Sequence, residues 1–406
     1  LSLELTAEFM KATILALLGT YIPGFLAGGP IRSVHSLVDA FGAEFDWRII
    51  CPDRDLGSDA PYPGIVADRW TPVGKALVFY ASPRMLRPWN LLRLLRGLDH
   101  DLLYLNSFFS PRMSILPVAA AYTGVLRRSR ILIAPRGEFS PGALAIKAWK
   151  KRPYLWMARC LRLYRNCRWH LSTSLELDDL RSVFPVSVGL GFDARNCFVA
   201  PDMVDFTLDG AVANRALEAP PNLSVAFLSR ISPMKNLDFA LRALAQVRAR
   251  VVFSVYGPEE DAGYVNHCRE LAGGQPANVE VRWCGPVAAA EVVQVLSAHD
   301  LMLLPTRGEN FGHVIVEAWA AGLPVLISDQ TPWRGLAQEG IGWDLPLDSP
   351  DRFAAVVDEV AAWPREKRLS AAKACRKKAD LVRSDDRVRQ ENLKMFETVL
   401  AVPVRD

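Results

Sequence analysis

The sequence predicts an α/β protein of two domains with parallel sheets. Three observations lead there. Short apolar runs of strand length recur along the chain and alternate with longer stretches of helical periodicity. The runs are apolar without period-two alternation, which suits central strands of parallel sheets covered by helices on both faces. They form two series, parted by a polar, proline-bearing stretch over 201–221 with the composition of a hinge.

In the first series strands are expected at 13–18, 47–51, 102–105 and 131–134, and in the second at 225–228, 251–256, 279–283, 301–304 and 325–328. The domains built on them span 10–200 and 201–384. Helices follow the last strand at 351–363 and 385–400. The second carries Val388, Leu393, Phe396, Val399 and Leu400 at near-helical spacing, with Ser384 and Asp385 available as its cap. The segment 385–406 is therefore expected to pack back on the body.

At 406 residues and 50% hydrophobic the chain can bury full cores, and disorder is not expected. The net charge of +4 is small for this length and does not by itself point to nucleic acid. Seven cysteines include no CxxC pair and no histidine at zinc-ligand spacing, which reads as reduced, packed thiols in a cytoplasmic protein. The apolar stretch 12–18 is too short to span a bilayer. Glu4 and Glu8 stand where a signal peptide needs basic residues. Met10-Lys11, just before the first strand, reads as a natural start, with residues 1–9 an addition ahead of it.

The densest chemistry lies in PTRGENFGHVIVEAWAAGLPV, residues 305–325. A glycine-bearing loop here follows a strand, and a helix over 313–321 leads to the next strand, so Glu309 falls in the loop and Glu317 on the helix. In an open parallel sheet ligands bind beyond the carboxyl ends of the strands, where this loop must lie. The helix start at Gly312 and His313 offers free backbone N–H groups and a positive dipole end to a diphosphate. Carboxylates beside phosphates need hydroxyl partners, and an ionised carboxylate accepts from two sugar or ribose hydroxyls at once. The plain alternative makes Glu309 a loop charge and Glu317 a surface helix residue.

Two glutamates with seven residues between them, set in ENFGHVIVEAWAAGLPVLISD, resemble the EX7E motif of retaining GT-B glycosyltransferases, family 4 of the sugar-transferase classification. The resemblance implies two facing Rossmann-like domains with a cleft between them, the donor held mainly by the C-terminal one. It implies that Glu309 meets hydroxyls of the transferred sugar and Glu317 the ribose diol. Phe311 and Gly312 meet the donor near its phosphates by backbone, with Asn310 in the same donor-binding set.

A second block, FLSRISPMKNL over 227–237, places Arg230 and Lys235 just after a strand. A guanidinium and an ammonium are what a departing nucleoside diphosphate needs as negative charge grows on it. Loop solvation is the plain alternative. The order of this loop, YGPE at 256–259, CGPV at 284–287 and the two glutamates is similar to the family's C-terminal domain block by block.

Gly28 and Gly29, in YIPGFLAGGPIR over 21–32, resemble the family's glycine loop, which covers the donor phosphates and the acceptor side; a bare glycine pair otherwise reads as a turn. Arg136 and Glu138 stand where many relatives carry a histidine near the reacting sugar. Two readings stay open for them: Arg136 on a phosphate and Glu138 on an acceptor hydroxyl, or a structural ion pair for each.

By this resemblance the reaction moves a hexosyl or N-acetylhexosaminyl group from a UDP- or GDP-linked sugar to a sugar or lipid-linked sugar acceptor, with retention and without a metal or cofactor. Arg230, Lys235 and Glu309 form the catalytic set, and the setting is bacterial polysaccharide or glycolipid biosynthesis. A nucleotide-sugar epimerase of the same fold and an inactive sugar-nucleotide-binding protein are the alternatives. The first strand is followed by no GxGxxG, and neither GxxxxGK[ST] nor HExxH occurs, which argues against a dinucleotide dehydrogenase, a P-loop enzyme and a zincin. Asp53-Arg54-Asp55 is formally DxD and is read as loop chemistry.

From 127 to 168 the chain gathers Arg127, Arg128, Arg130, Arg136, Lys147, Lys150, Lys151, Arg152, Arg159, Arg162, Arg165 and Arg168 against one acid, Glu138, with Trp149, Tyr154, Trp156 and Tyr164 interleaved. Such a stretch suits an anionic membrane surface or a lipid-diphosphate acceptor better than RNA. A peripheral place on the inner face of the membrane, with no nucleic-acid partner, is therefore expected. The plain reading is a solvated helix whose aromatics face the core.

Overall fold

The computed structural model describes residues 11–126, 129–185, 196–204 and 222–402. The expectations for residues 1–9 and Met10, for Arg127 and Arg128, and for 205–221 of the hinge stretch lie outside these residues.

Among the described residues the strands form two sheets. The first contains β1 (Thr13–Leu17), β2 (Asp46–Pro52), β3 (Trp70–Val73), β4 (Ala76–Ala81), β5 (Leu102–Leu105), β6 (Arg130–Ile133), β7 (Cys167–Leu171) and β8 (Cys197–Val199), in the order β3-β4-β2-β1-β5-β6-β7-β8. Its pairings are parallel except β3 with β4, an edge hairpin in which Pro72 costs no interior hydrogen bond. The second contains β9 (Leu223–Leu228), β10 (Val251–Tyr256), β11 (Val279–Gly285), β12 (Leu301–Leu304), β13 (Val325–Ser328) and β14 (Gly342–Leu345), in the order β11-β10-β9-β12-β13-β14, parallel throughout.

The lack of polar alternation has a direct cause. Along β1, Ile14 and Ala16 enter one apolar cluster and Leu15 and Leu17 the other, so both faces of the sheet are covered. The expected runs at 102–105, 251–256, 301–304 and 325–328 coincide with β5, β10, β12 and β13. β3, β4, β7, β8 and β14 have no counterpart among the expected runs. Segments as short and mixed as Cys167-Arg168-Trp169-His170-Leu171 become strands because a neighbour supplies the ladder.

Helix Asp386–Ala401 lies against the first domain. Asp385 caps it by accepting from Arg387 N–H. Phe396 is fully buried, its ring 5.6 Å from Trp47 and 5.8 Å from Tyr104, edge to face. Helix Arg365–Arg383 has no counterpart in the sequence reading. Its buried positions Arg368, Ala371, Cys375 and Ala379 recur at helical spacing but are small or charged, so they form no apolar stripe to read. It packs on helix His313–Ala320 and leaves that element buried almost all round.

Strand order reverses between β1 and β5 in the first sheet and between β9 and β12 in the second. The loops leaving the carboxyl ends of β1, β9 and β12 carry Gly28-Gly29, Arg230 with Lys235, and Glu309 to Gly312. They line a single cleft of about 610 Å³ between the two domains.

Candidate functional site

The loop from Pro305 to Gly312 is fixed on three sides. Asn236 Nδ2 donates to Pro305 O at 2.9 Å, Arg307 N–H to Met234 O at 2.8 Å, and Glu309 N–H to Gln330 O at 2.9 Å. Gly312 has a φ of +83°, and a Cβ there would come within 2.8 Å of Ile315 Cδ1 and 3.1 Å of the Glu309 side chain. Glycine is thus required both by the backbone and by the space beside Glu309. Trp333 Nε1 donates to Phe311 O at 2.6 Å and holds the end of the loop where helix His313–Ala320 begins.

The β9 loop lies against this one. Gly257 lets the β10 loop approach it, since a Cβ would stand 1.8 Å from Ser229 O. Lys235 Nζ is 2.5 Å from Glu309 Oε2, and Arg230 Nη1 is 3.0 Å from both carboxylate oxygens of Glu260. Glu317 is buried, and among the described residues its Oε2 has no hydrogen-bond partner. Arg230, Lys235, Glu309 and Glu317 therefore all reach one cleft, each cation already beside a carboxylate.

From the first domain, Gly28 caps helix Gly29–Phe41 with a φ of +67°. Asp55 shapes the loop ahead of it, its Oδ2 accepting from Phe25 N–H at 2.8 Å and Leu26 N–H at 3.2 Å. That is the loop chemistry of the DxD segment; Asp53 pairs with Arg54. Among the described residues no group of three His, Cys, Asp or Glu side chains is placed to hold a metal ion.

Arg136 and Glu138 line the cleft, but their polar atoms are engaged elsewhere. Arg136 pairs with Asp202 and donates to Asn106 Oδ1 at 3.0 Å, Ser172 Oγ at 3.2 Å and Tyr104 OH at 2.9 Å. Glu138 accepts from Phe108 N–H at 2.6 Å, Phe109 N–H at 2.9 Å and Ser107 Oγ at 2.8 Å. The geometry favours the ion-pair reading for Arg136 and makes Glu138 an acceptor for a backbone turn.

Three features of the site have no signal in the motifs. Arg32 reaches across to Glu317, Ser33 Oγ lies 3.1 Å from His313 Nε2, and Asn310 Nδ2 donates to Ser172 Oγ at 2.9 Å. All three join the domains, and all three pair residues more than a hundred positions apart. Asp202 sits at their centre, 2.7 Å from Ser33 Oγ and 3.5 Å from His313 Nε2. Burial works against its charge, but Arg136, His313 and Ser33 override this and hold its carboxyl well below the usual range. Beside it, burial pulls His170 down to about 3, with Arg136 acting in the same direction. Glu176 is pushed up to about 7 by burial, against the N–H groups of Gly137 and Ser172 that it accepts from.

The helix Ala148–Cys160 turns Trp149 and Trp156, 73% and 69% exposed, to solvent, whereas Tyr154 and Tyr164 face inward. The plain reading, in which the aromatics of this stretch face the core, thus fails for the two tryptophans. Lys151 turns inward and donates to Ala143 O at 2.6 Å. No helix among the described residues is long and apolar enough to cross a membrane.

Residues 222–362 match the family model described as "Glycosyl transferases group 1". Among curated proteins, the D-inositol 3-phosphate glycosyltransferase of Nocardia farcinica is 35% identical over 151 residues, 34% of each chain. That of Kineococcus radiotolerans is 28% identical over 212 residues, 46% of this chain and 48% of the relative. The chain thus spans between a third and a half of the length of these relatives. Among solved structures, Anabaena Alr3699/HepE in complex with UDP and glucose superposes with a TM-score of 0.67 at 17% identity, covering 96% of this chain and 100% of that one. Sucrose-phosphate synthase from Thermosynechococcus elongatus does so with a TM-score of 0.70 at 14% identity, over 96% and 100%. The fold is that of the GT-B glycosyltransferases, and the second domain is similar in sequence to group 1 glycosyl transferases.

Proposed function

We propose that this chain is a retaining glycosyltransferase that moves a hexosyl or N-acetylhexosaminyl group from a UDP- or GDP-linked sugar to an acceptor hydroxyl. The observation that carries the reading is the convergence of Arg230, Lys235, Glu309 and Glu317 on one interdomain cleft at the switch points of two parallel sheets. Two cations and a helix N-terminus suit a diphosphate, and two carboxylates suit the hydroxyls of sugar and ribose. As the bond between sugar and diphosphate breaks, charge grows on the leaving phosphate, and the lysine and arginine oppose it. The match of residues 222–362 and the fold shared with a UDP- and glucose-bearing structure support the same donor class.

The acceptor side points to the membrane. Between Glu138 and Glu176 the sequence has no acid; exposed Lys150 and Arg152 share a helix with exposed Trp149 and Trp156, Lys150 Nζ lying 4.8 Å from the Trp149 ring, and exposed Arg162 and Arg165 follow that helix. Cations around exposed aromatics suit an anionic leaflet, so the enzyme works at a membrane surface on a lipid-linked or polysaccharide acceptor. A thermal-shift panel of UDP-, GDP- and ADP-sugars tests the donor, because a ligand bound only by the folded state raises the melting temperature. A nucleotide sugar that stabilises the protein, followed by proton NMR of the anomeric product, tests transfer and retention. No stabilisation by any nucleotide sugar would sink the reading.

A further inference from the structure

Arg32 stands in the first turn of helix Gly29–Phe41 of the first domain, and Glu317 lies midway along helix His313–Ala320 of the second. Arg32 Nη1 donates to Glu317 Oε1 across the cleft, with the side chains 24% and 8% exposed. Glu317 Oε2 is buried and has no hydrogen-bond partner among the described residues. A diol bound by this carboxylate needs both oxygens, and Arg32 occupies one of them.

We propose that Arg32 is a donor-binding residue supplied by the first domain: it neutralises Glu317 in the empty cleft and passes to the diphosphate when ribose hydroxyls take the carboxylate. The proposal rests on the donor reading above. Neutral hydroxyls that displaced Arg32 from Glu317 would leave a guanidinium largely out of water with no counter-charge, which costs more than the new hydrogen bonds return. A ligand with phosphates brings the counter-charge with it.

The geometry favours that transfer. Ser33, next to Arg32, lies 3.1 Å from His313, the first residue of the facing helix. The starts of the two helices, at Gly28 and Gly312, therefore converge beside Arg32 and add positive dipole ends to the same space. The consequence is a selectivity device: the ribose position admits a nucleoside diphosphate and discriminates against the nucleoside alone.

Calorimetric titration with the matched pairs UDP and uridine, GDP and guanosine, on the unaltered protein, Arg32→Gln and Arg32→Lys, tests this. Arg32→Gln is expected to weaken diphosphate binding on the order of 10-fold or more, while nucleoside binding holds or tightens. Arg32→Lys, which keeps the charge and loses the fork, is expected to fall between. The ratio of the two affinities is the readout, since it compares two ligands on the same folded protein and a purely structural loss would move both alike. An unchanged ratio overturns the proposal while leaving the donor reading intact. If the unaltered protein binds neither diphosphate, the donor reading fails and the proposal with it.

Discussion

Lys235 Nζ lies 2.5 Å from Glu309 Oε2, joining the loop after β9 to the loop after β12, with the two side chains only 11% and 16% exposed. Each is the other's counter-charge. In the proposed reaction the ammonium meets the leaving diphosphate and the carboxylate the transferred sugar. Because Lys235 is proposed to oppose charge that grows in the transition state, Lys235→Ala is expected to lower turnover on the order of 10²-fold at saturating donor. Unchanged turnover in that variant would refute the assignment.

The two glutamates are expected to separate by ligand. Glu317→Gln should weaken binding of the free nucleoside diphosphate, because its carboxylate is proposed to meet the ribose. Glu309→Gln should leave that binding nearly intact and weaken selection of the sugar. Calorimetry with the free diphosphate and the nucleotide sugar reads both. Equal losses for the free diphosphate would contradict the division.

For the proposed membrane face the structure selects which residues to change. Lys147 and Lys151 line the cleft, so they are unsuitable, whereas Lys150, Arg152 and Arg162 are exposed and lie outside it. Each cation near an anionic leaflet contributes about 1 kcal/mol, screened over roughly 8 Å at physiological salt. Neutralising the three together, or replacing Trp149 and Trp156 by alanine, should release the protein from anionic vesicles in co-sedimentation while donor binding holds. Equal binding to anionic and zwitterionic vesicles would show that the face is only solvated surface.

Acid should act through His170. It is buried neutral, its Nδ1 2.7 Å from Tyr104 OH and its Nε2 2.9 Å from Ala200 O, with its pKa pulled down to about 3 from 6.5. A group depressed in the folded state stabilises it above the unfolded pKa, and that contribution is lost as pH falls toward the folded pKa. Between pH 6.5 and 5 the protein should lose about 2 kcal/mol relative to His170→Gln, which can donate and accept in the same places without titrating. Glu176, raised to about 7, has the opposite sign: its contribution is lost as pH rises from 4.5 through 7. Denaturant melts of the two proteins across this range check the difference, and parallel curves would count against a buried neutral histidine.

The elements of the donor side were legible for a local reason. The loops after β9 and β12 each carry their charged residues within a dozen positions, directly after an apolar strand, so one stretch of sequence displays both scaffold and chemistry. Helix Arg365–Arg383 and strands β3, β7, β8 and β14 were not legible, because their residues gain structure from a neighbour's ladder or face and their own hydrophobic pattern is too short or too polar to declare it. Strand β4 is different: Ala76–Ala81 is an apolar run as readable as the expected ones, although it has no counterpart among them.

The sequence by itself determined the α/β class, the two series of strands and four of the charged residues that line the second domain's side of the cleft, Arg230, Lys235, Glu309 and Glu317. Tertiary structure alone decided what those charges touch. Arg32 finds Glu317 285 positions away because two separately wound sheets bring their carboxyl edges together, and Arg136 finds Asp202 66 positions away because parallel strands β6 and β8 end on the same edge of the first sheet. Order along a strand and its loop is written in local periodicity. The partner of a buried charge is set by which surfaces meet, and burial then enforces the pairing because an unpaired charge removed from water is too costly to keep.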